Sequence, residues 1–266
     1  MKFTENSVTA FLKGDCFTAK HIRIIITCEH GGNSFPKRFA TLFDQSSELL
    51  ESHRGYDPGA LSLAKRLSKG LKTPLYFSTV TRLLVDLNRS PHNPKRFSEV
   101  TNRLSVPEKA VIQGRFYHPY RDKVQSALFG HLKKGGQVLH LSVHTFTPLL
   151  YGKVRKTDLG LLYDPSRKTE AAFCVLWQRI LHQSGPGIRT RRNHPYHGTA
   201  DGFTTYLRKL FSEDVYMGVE LEVNQKFLSG DHPVWLNLQR MILTSLDTAR
   251  NVYGTKRQEK KIGMRR

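Results

Sequence analysis

The sequence predicts an α/β fold: a three-layer sandwich in which helices cover both faces of a mixed, mostly parallel sheet. Two observations lead to this prediction. Short, apolar, β-branched runs, typical of strands buried on both faces, alternate along the chain with longer segments of helical periodicity. The chain has 266 residues and 38% apolar content, enough for one large hydrophobic core. We therefore predict a single domain over residues 1–255.

The individual elements follow from composition and spacing. The predicted strands share short apolar runs bounded by turn residues and cover residues 22–28, 75–80, 82–87, 137–143, 159–163 and 215–223. The predicted helices share apolar residues spaced three and four apart and cover residues 59–71, 106–132, 167–182, 202–211 and 234–253. Pro119 predicts a break within the second helix, because proline removes a helical hydrogen bond.

The charge balance is strongly basic, with 42 Lys and Arg against 22 Asp and Glu and a formal charge of +20. Such a charge attracts anionic substrates or polyanions. Because the basic residues are spread over almost every predicted helix and loop, no specific nucleic-acid binding is predicted. Their clearest concentration, residues 256–266, follows the last apolar periodicity and is predicted to be a disordered basic tail.

Composition also limits the cellular setting and the metal chemistry. No stretch of roughly 18 consecutive apolar residues occurs, and Met1 to Gly14 lacks a secretory pattern, which predicts a cytoplasmic protein without a membrane span. Cys16, Cys28 and Cys174 form no Cys-x-x-Cys pair. Any metal ligands are therefore expected to be histidines and carboxylates.

Four residues are predicted to meet at one edge of the sheet. In open α/β sheets, functional groups collect outside the carboxyl ends of the strands. His30 and His144 follow predicted strands, Glu222 ends another, and Asp57 opens a helix. A hydrolytic zinc site needs three nitrogen or oxygen ligands and an open position for water. His30, Asp57 and His144 could supply the ligands, with Glu222 taking the proton of the water.

Each of these residues also has an ordinary structural interpretation. His30 could stabilise the turn that follows it, and His144 could be a hydrogen-bonded residue at a strand end. Asp57 could be the N-cap of the following helix. Glu220 and Glu222 lie two apart on a strand and therefore share one face. Two carboxylates on a buried strand are harder to explain structurally, because their burial without partners is costly.

Six motifs, in order and spacing, resemble the N-formylglutamate amidohydrolase family over roughly residues 22–228. They are Cys28-Glu29-His30-Gly31-Gly32-Asn33 with Pro36, Asp57-Pro58-Gly59-Ala60, Arg82-Leu83-Leu84-Val85-Asp86-Leu87-Asn88-Arg89, His144-Thr145-Phe146-Thr147-Pro148, Asn193-His194-Pro195-Tyr196 and Glu220-Leu221-Glu222-Val223. The first motif is closer to the broader branch of the family than to the histidine-degradation enzymes, whose loop resembles Pro-His-Ser-Gly.

The resemblance implies a fold similar to that of zinc-dependent exopeptidases and phosphorylase-like hydrolases, and hydrolysis of an amide on an amino-acid-like substrate. It implies metal binding by His30 and His144, with Asp57 as the third ligand. The order of these residues, followed by Glu222, also resembles the zinc N-acetylmuramoyl-L-alanine amidases. The expected cofactor is Zn²⁺, although histidine and carboxylate ligands also suit other divalent ions.

The remaining motifs suit substrate binding. Arg82 and Arg89 could pair with a substrate carboxylate, with Asp86 and Asn88 orienting them from one face of a strand; the alternative is an internal Arg-Asp ion pair. The turn-rich loop at residues 193–198 could cover the metal and place Tyr196 or His197 against the scissile carbonyl. Alternatively, this loop is only a connection.

The primary hypothesis is metal-assisted hydrolysis of an N-acyl amino acid, a small-molecule substrate with an acidic end. A cell-wall peptide amidase would use the same chemistry but would require export. A protein without catalytic activity that binds polyanions on the same scaffold is suggested only by the charge of +20. The oligomeric state is not predicted.

Overall fold

A computed structural model describes residues 22–228 and 232–263. The strands of the described chain are β1 (Ile22–Cys28), β2 (Leu75–Phe77), β3 (Gln137–Phe146), β4 (Leu149–Leu150), β5 (Lys153–Val154), β6 (Leu159–Leu162), β7 (Thr190–Arg192) and β8 (Tyr216–Asn224). The α-helices are α1 (Ser47–Glu51), α2 (Ala60–Leu71), α3 (Val106–Ile112), α4 (His118–Lys133), α5 (Lys168–Ser184), α6 (Phe203–Leu210) and α7 (His232–Gly263).

Six strands form one sheet in the order β2-β1-β3-β8-β6-β7. Every neighbouring pair is parallel except β6 and β8, which are antiparallel. The short strands β4 and β5 form a separate antiparallel pair. The structure confirms the predicted α/β class with a mixed, mostly parallel sheet.

Helices cover both faces of this sheet. Successive strand residues point to opposite faces, so Leu139 and Leu141 of β3 join a core with α2, α5 and α7. Val138 of the same strand joins a second core with α4 and α6. Trp177 and Trp235 also lie in the first core. The three layers of the predicted sandwich are therefore present.

The prediction of a strand at residues 82–87 is wrong. The segment is a buried loop, and its amide groups bond locally, with Leu84 N–H donating to Thr81 O and Asp86 N–H donating to Arg96 O. Its apolar residues pack into a third core beneath the loops, with Phe97, Ile112 and Tyr117 among its members. Their burial explains the strand-like composition without any pairing in the sheet.

Other boundaries differ for identifiable reasons. The long helix is interrupted by a π-helical turn at Gln113–Tyr117, which ends two residues before Pro119. The short elements α1, β7 and the β4 and β5 pair were not predicted, because all of them are too short to show periodicity.

Both termini of the chain bear on the predictions. The backbone of α7 continues as a helix to Gly263, beyond the boundary predicted at Lys256, because Lys, Arg, Gln and Glu are good helix formers. Residues 264–266 lie outside the described residues, as do Cys16 and the segment from Met1 to Gly14. Within the described chain, no helix combines the length and apolar character needed to span a bilayer.

Candidate active site

A pocket of about 220 Å³ lies at the carboxyl ends of β1, β3 and β8. Its lining includes every residue that the sequence analysis selects for a metal, catalytic or substrate-binding role, namely His30, Asp57, Arg82, Asn88, Arg89, His144, Tyr196, His197 and Glu222. The residues are distant in sequence and meet because parallel strands end at the same edge of the sheet. The site is therefore assembled by the topology.

The loop that follows β1 is held by close backbone contacts. Gly31 N–H donates to Ser78 O at 3.0 Å, and a Cβ atom at Gly31 would lie 2.8 Å from that same oxygen. Asp57 N–H donates to His30 O at 2.9 Å, which ties the second motif to the first. Gly59, at the N-cap of α2, has a positive φ of 81°, a conformation that favours glycine. Gly31 and Gly59 are thus explained by backbone geometry.

His30, Asp57 and His144 are buried together, and one ligand atom from each lies within 4.8 Å of the others. Asp57 Oδ2 is 3.4 Å from His30 Nδ1 and 2.9 Å from His144 Nδ1. Ligands on a tetrahedral zinc ion with bonds near 2.1 Å are separated by about 3.4 Å. His30 Nδ1 is buried without a hydrogen-bond partner among the described residues. The group could therefore hold a metal ion.

The Nε2 atom of each histidine, on the side away from the ligand cluster, lies within hydrogen-bonding distance of a buried side chain. His30 Nε2 lies 2.8 Å from Asp86 Oδ1, and Asp86 Oδ2 accepts from Arg82 Nη2 at 2.7 Å. His144 Nε2 lies 2.8 Å from the Ser142 hydroxyl, which donates to Glu29 Oε2 at 2.7 Å. Such outer contacts are typical of metal-binding histidines, because they fix the tautomer and the ring orientation.

The carboxylates of the site shift the pKa of His144. Burial lowers it, but the hydrogen bond to Asp57 and the charges of Asp57, Glu222 and Glu29 raise the pKa of His144 to about 10. The pKa of Asp57 is lowered in turn: burial raises it, and the charge of His30, the hydrogen bond from His144 and the charge of His144 outweigh that effect. A positive charge is thus favoured at the centre of this cluster, either as an imidazolium or as a bound cation.

Glu222 has the properties of an acid–base residue. It pairs in register with His144 on the neighbouring strand. Burial, with the nearby charges of Asp57 and Glu220, raises the pKa of Glu222 to about 8 against the opposing effects of His144 and Arg82. Its Oε2 atom is buried and has no hydrogen-bond partner among the described residues. A carboxyl group with a pKa near neutrality can both accept and donate a proton.

The two arginines differ in how freely they face the pocket. Arg82 forms the internal ion pair that the sequence analysis kept as an alternative, with Asp86 at 2.7 Å and Asp57 at 3.6 Å. Arg89 donates to Asp201 O at 3.2 Å and lies 3.9 Å from Asp86, with its side chain 35% exposed. Arg89 is therefore the more available of the two for a substrate carboxylate.

Asn88 does not orient either arginine, contrary to the expectation from the sequence. With residues 82–87 forming a loop, the shared strand face on which that expectation depended is absent. The Asn88 Oδ1 atom instead accepts from Phe203 N–H at 2.7 Å, at the start of α6. Asp86 does hold Arg82, but its other oxygen holds His30.

The loop at residues 193–198 is anchored at both ends. Asn193 Oδ1 accepts from Tyr163 N–H and Gly198 N–H, at 3.0 and 3.1 Å. Between these anchors, Tyr196 is 43% exposed and its hydroxyl accepts from Arg155 Nη2 at 2.9 Å. The loop thus forms a fixed wall of the pocket and carries Tyr196 and His197 along it.

A larger groove of about 860 Å³ adjoins the pocket and shares His53, Arg82, Arg89 and Tyr196 with it. Further along, the groove contains Arg54, which is paired with Glu99 at 2.7 Å, together with Lys95 and Tyr151. The pocket therefore opens on one side into a predominantly basic groove.

The contacts of Glu29 and Ser142 with the site, and the contact between Asp86 and His30, were not predicted from the sequence. Asp201 and His53, which line the pocket, were not predicted either. A signal existed for Ser142, because it lies two residues before His144 and so shares its face of β3. The contact of Glu29 with Ser142 had no signal, since it joins residues 113 positions apart.

Comparison with known proteins gives a family and two similar structures. A sequence model of the N-formylglutamate amidohydrolase family matches residues 22–229. The gene product Atu2144 of Agrobacterium tumefaciens superposes with a TM-score of 0.73 at 24% identity, covering 87% of this chain and 91% of that chain. An N-formylglutamate amidohydrolase of Ralstonia eutropha JMP134 gives 0.66 at 18% identity, covering 90% and 95%.

A search of curated proteins finds no significant match. The two structural similarities lie below 25% identity and show a shared fold. The family match covers most of the chain and includes all the motifs that line the pocket. This chain therefore belongs to the N-formylglutamate amidohydrolase family and is a hydrolase that acts on amide bonds.

Proposed function

We propose that this protein is a zinc-dependent amidohydrolase that cleaves the amide of a small N-acyl amino acid with an acidic end. The observation that carries the proposal is a pair of unsatisfied atoms, His30 Nδ1 and Glu222 Oε2, on residues that line one pocket. Buried polar atoms are nearly always paired in folded proteins, so orphaned ones call for a functional explanation. A metal ligand and a proton acceptor supply that explanation.

His30, Asp57 and His144 would hold the metal. When bound, a divalent metal supplies Lewis acidity, which polarises a carbonyl and lowers the pKa of water to about 7. The burial of all three ligands excludes competing solvent from their remaining contacts. Asp86 keeps the His30 ring oriented through its 2.8 Å contact with Nε2.

Glu222 would move the proton. Its deprotonated carboxylate accepts the proton of the attacking water, and the resulting carboxylic acid donates that proton to the leaving nitrogen. The pKa of about 8 in the absence of metal indicates that burial keeps this group easily protonated. Because β3 and β8 are paired in register, the carboxyl lies beside the ligand His144.

The other pocket residues would orient the substrate. Arg89 has nitrogen atoms available for a carboxylate, which a guanidinium binds with two parallel hydrogen bonds. Arg82, held by Asp86, would add positive charge at the same wall. Asn88 and His197 line the pocket and offer hydrogen bonds to polar groups of the substrate, and Tyr196, anchored by Arg155, could donate to the carbonyl oxygen.

The test combines elemental analysis with a substrate screen. Purified protein is expected to contain about one zinc ion per chain, and His144→Ala is expected to lose both the zinc and the hydrolysis of N-acyl amino acids. His182→Ala, outside the pocket on α5, is the matched control and should retain both. Metal-free protein that hydrolyses these substrates at the full rate would contradict the mechanism, and cleavage of muropeptides alone would change the substrate class.

A further inference from the structure

A buried carboxylate with no part in the proposed reaction lies directly behind the ligand cluster. Glu29 is only 1% exposed. The Tyr120 hydroxyl donates to Glu29 Oε1 at 3.0 Å, and the Ser142 hydroxyl donates to Oε2 at 2.7 Å. Among the described residues, no lysine or arginine forms an ion pair with Glu29; its nearest cationic partner is His144, with 3.5 Å between Oε2 and Nε2.

The direction of these hydrogen bonds selects one tautomer of His144. An ionised carboxylate can only accept, so the hydroxyl hydrogen of Ser142 points to Glu29. The Ser142 oxygen then accepts from Nε2–H of His144 across 2.8 Å. With the proton held on Nε2, the lone pair of Nδ1 is left for a metal on the side of Asp57.

The two histidines of the cluster therefore have different supports. His30 contacts the carboxylate of Asp86 directly, whereas His144 reaches a carboxylate only through the hydroxyl of Ser142. In the direct case, one group supplies both charge and orientation. In the relayed case, two residues share these tasks. Ser142 orients the His144 ring, and Glu29 supplies the charge that fixes the direction of the Ser142 hydroxyl.

We propose that Glu29 and Ser142 are positioning residues that hold His144 in the tautomer and orientation required for metal binding. The inference rests on the proposed function in one respect, namely that His144 binds a metal ion. It adds that the affinity for this metal depends on a buried carboxylate in the turn that follows β1, outside the pocket lining.

The experiment measures zinc affinity in the full-length protein by competition with a chromogenic chelator. Ser142→Ala is expected to weaken zinc binding by about 10- to 100-fold, the usual effect of removing an outer contact of a metal ligand. Ser245→Ala is the matched control: Ser245 is equally buried and bonded to Trp177, on the opposite side of the sheet. The control is expected to lower stability without changing zinc affinity.

Two further measurements separate positioning from general stability. Glu29→Gln keeps the shape of the side chain but removes its charge, and it is expected to weaken zinc binding in the same direction. In ¹⁵N NMR spectra of the zinc-loaded protein, His144 should be protonated at Nε2 in the wild type, and this signature should change in Ser142→Ala.

The outcomes distinguish this inference from the proposed function. Equal zinc affinity in wild type and Ser142→Ala would overturn the inference and leave the amidohydrolase proposal standing. Weakened zinc binding in Ser142→Ala, in a protein that hydrolyses no N-acyl amino acid, would support the inference and contradict the proposed function. Failure of the wild type to bind zinc would overturn both.

Discussion

Toward the carboxyl ends of the central strands, the two faces of the sheet are built from alternate residues of the same strands and have opposite characters. On β3, Leu139, Leu141 and Val143 pack against α2, α5 and α7. On its other face, His140, Ser142 and His144 form hydrogen bonds. Strand β8 repeats the pattern, with the apolar face carrying Val219, Leu221 and Val223 and the polar face carrying Gly218, Glu220 and Glu222.

This difference separates stability from chemistry. The apolar face is stabilised by burial alone, which needs no partner. On the polar face, burial is costly unless hydrogen bonds compensate it, and a network from Tyr216 through His140 to Thr27 meets that need away from the pocket. At the pocket, His30 Nδ1 and Glu222 Oε2 are buried without hydrogen-bond partners among the described residues. We expect the reaction at this part of the polar face.

The largest expected effect comes from the end of the polar face at the pocket, where Glu222 Oε2 has no hydrogen-bond partner among the described residues. Glu222→Gln removes the proton acceptor and is expected to lower kcat by about 10²- to 10⁴-fold while zinc remains bound. The matched control is Glu220→Gln on the same strand face, because Glu220 accepts a hydrogen bond from Thr204 and is not orphaned. Steady-state kinetics with elemental analysis checks this prediction, and equal losses in the two variants would contradict the role of Glu222.

A substitution on the apolar face should affect stability alone. Leu141 is fully buried. It lies between His140 and Ser142 in the sequence, but its side chain points to the opposite face of the sheet. Leu141→Ala is expected to lower the free energy of unfolding by about 2–5 kcal/mol, through lost burial and the cavity left behind. Urea denaturation measures this loss, and zinc affinity is expected to be unchanged. A matching loss of zinc affinity would show that the two faces are not independent.

The smallest expected effect concerns His140, within the satisfied part of the polar face. Burial lowers the pKa of His140 to about 4. His140 therefore becomes protonated near pH 6.5 in the unfolded chain but only near pH 4 in the folded protein. Stability from the neutral ring is present above pH 6.5 and is lost as the pH falls toward 4, by about 3 kcal/mol in total.

His140→Gln removes this titration while keeping a side chain that can bond Thr27 and Tyr216. The stability difference between wild type and variant is therefore expected to shift in favour of the variant as the pH falls from 7 to 4.5. Urea denaturation at both pH values measures the shift. A difference that does not change with pH would mean that His140 titrates normally in the folded protein.

Local sequence pattern predicted the elements that form the sheet and its helices where periodicity was long enough. The runs that became β1 and β3, and the helical spacing that became α2, were placed within a few residues. It failed at residues 82–87, because burial of Leu83, Leu84 and Val85 comes from a loop cluster and not from pairing in the sheet. An apolar composition indicates that a segment is buried, but it does not indicate which elements pack against that segment.

For the site, the sequence selected four residues by their positions at the ends of predicted strands or the start of a helix, and the substrate-binding residues by their motifs. All of them line one pocket. It could not assign their contacts. Arg82 and Arg89 look equivalent in the sequence, yet only Arg82 lies within 3 Å of Asp86. That difference arises from the path of a loop, which no periodic pattern specifies.

The sequence by itself determined the α/β class, the positions of His30, His144 and Glu222 at the ends of predicted strands, and the alternation that separates Leu141 from Ser142. These depend on local steric and hydrophobic rules that act over a few residues. Only the tertiary structure decided the strand order, the antiparallel pairing of β6 with β8, and the contact of Glu29 with Ser142 across 113 positions. Such contacts depend on how whole elements pack, because a buried polar group takes its partner from whichever strand lies beside it.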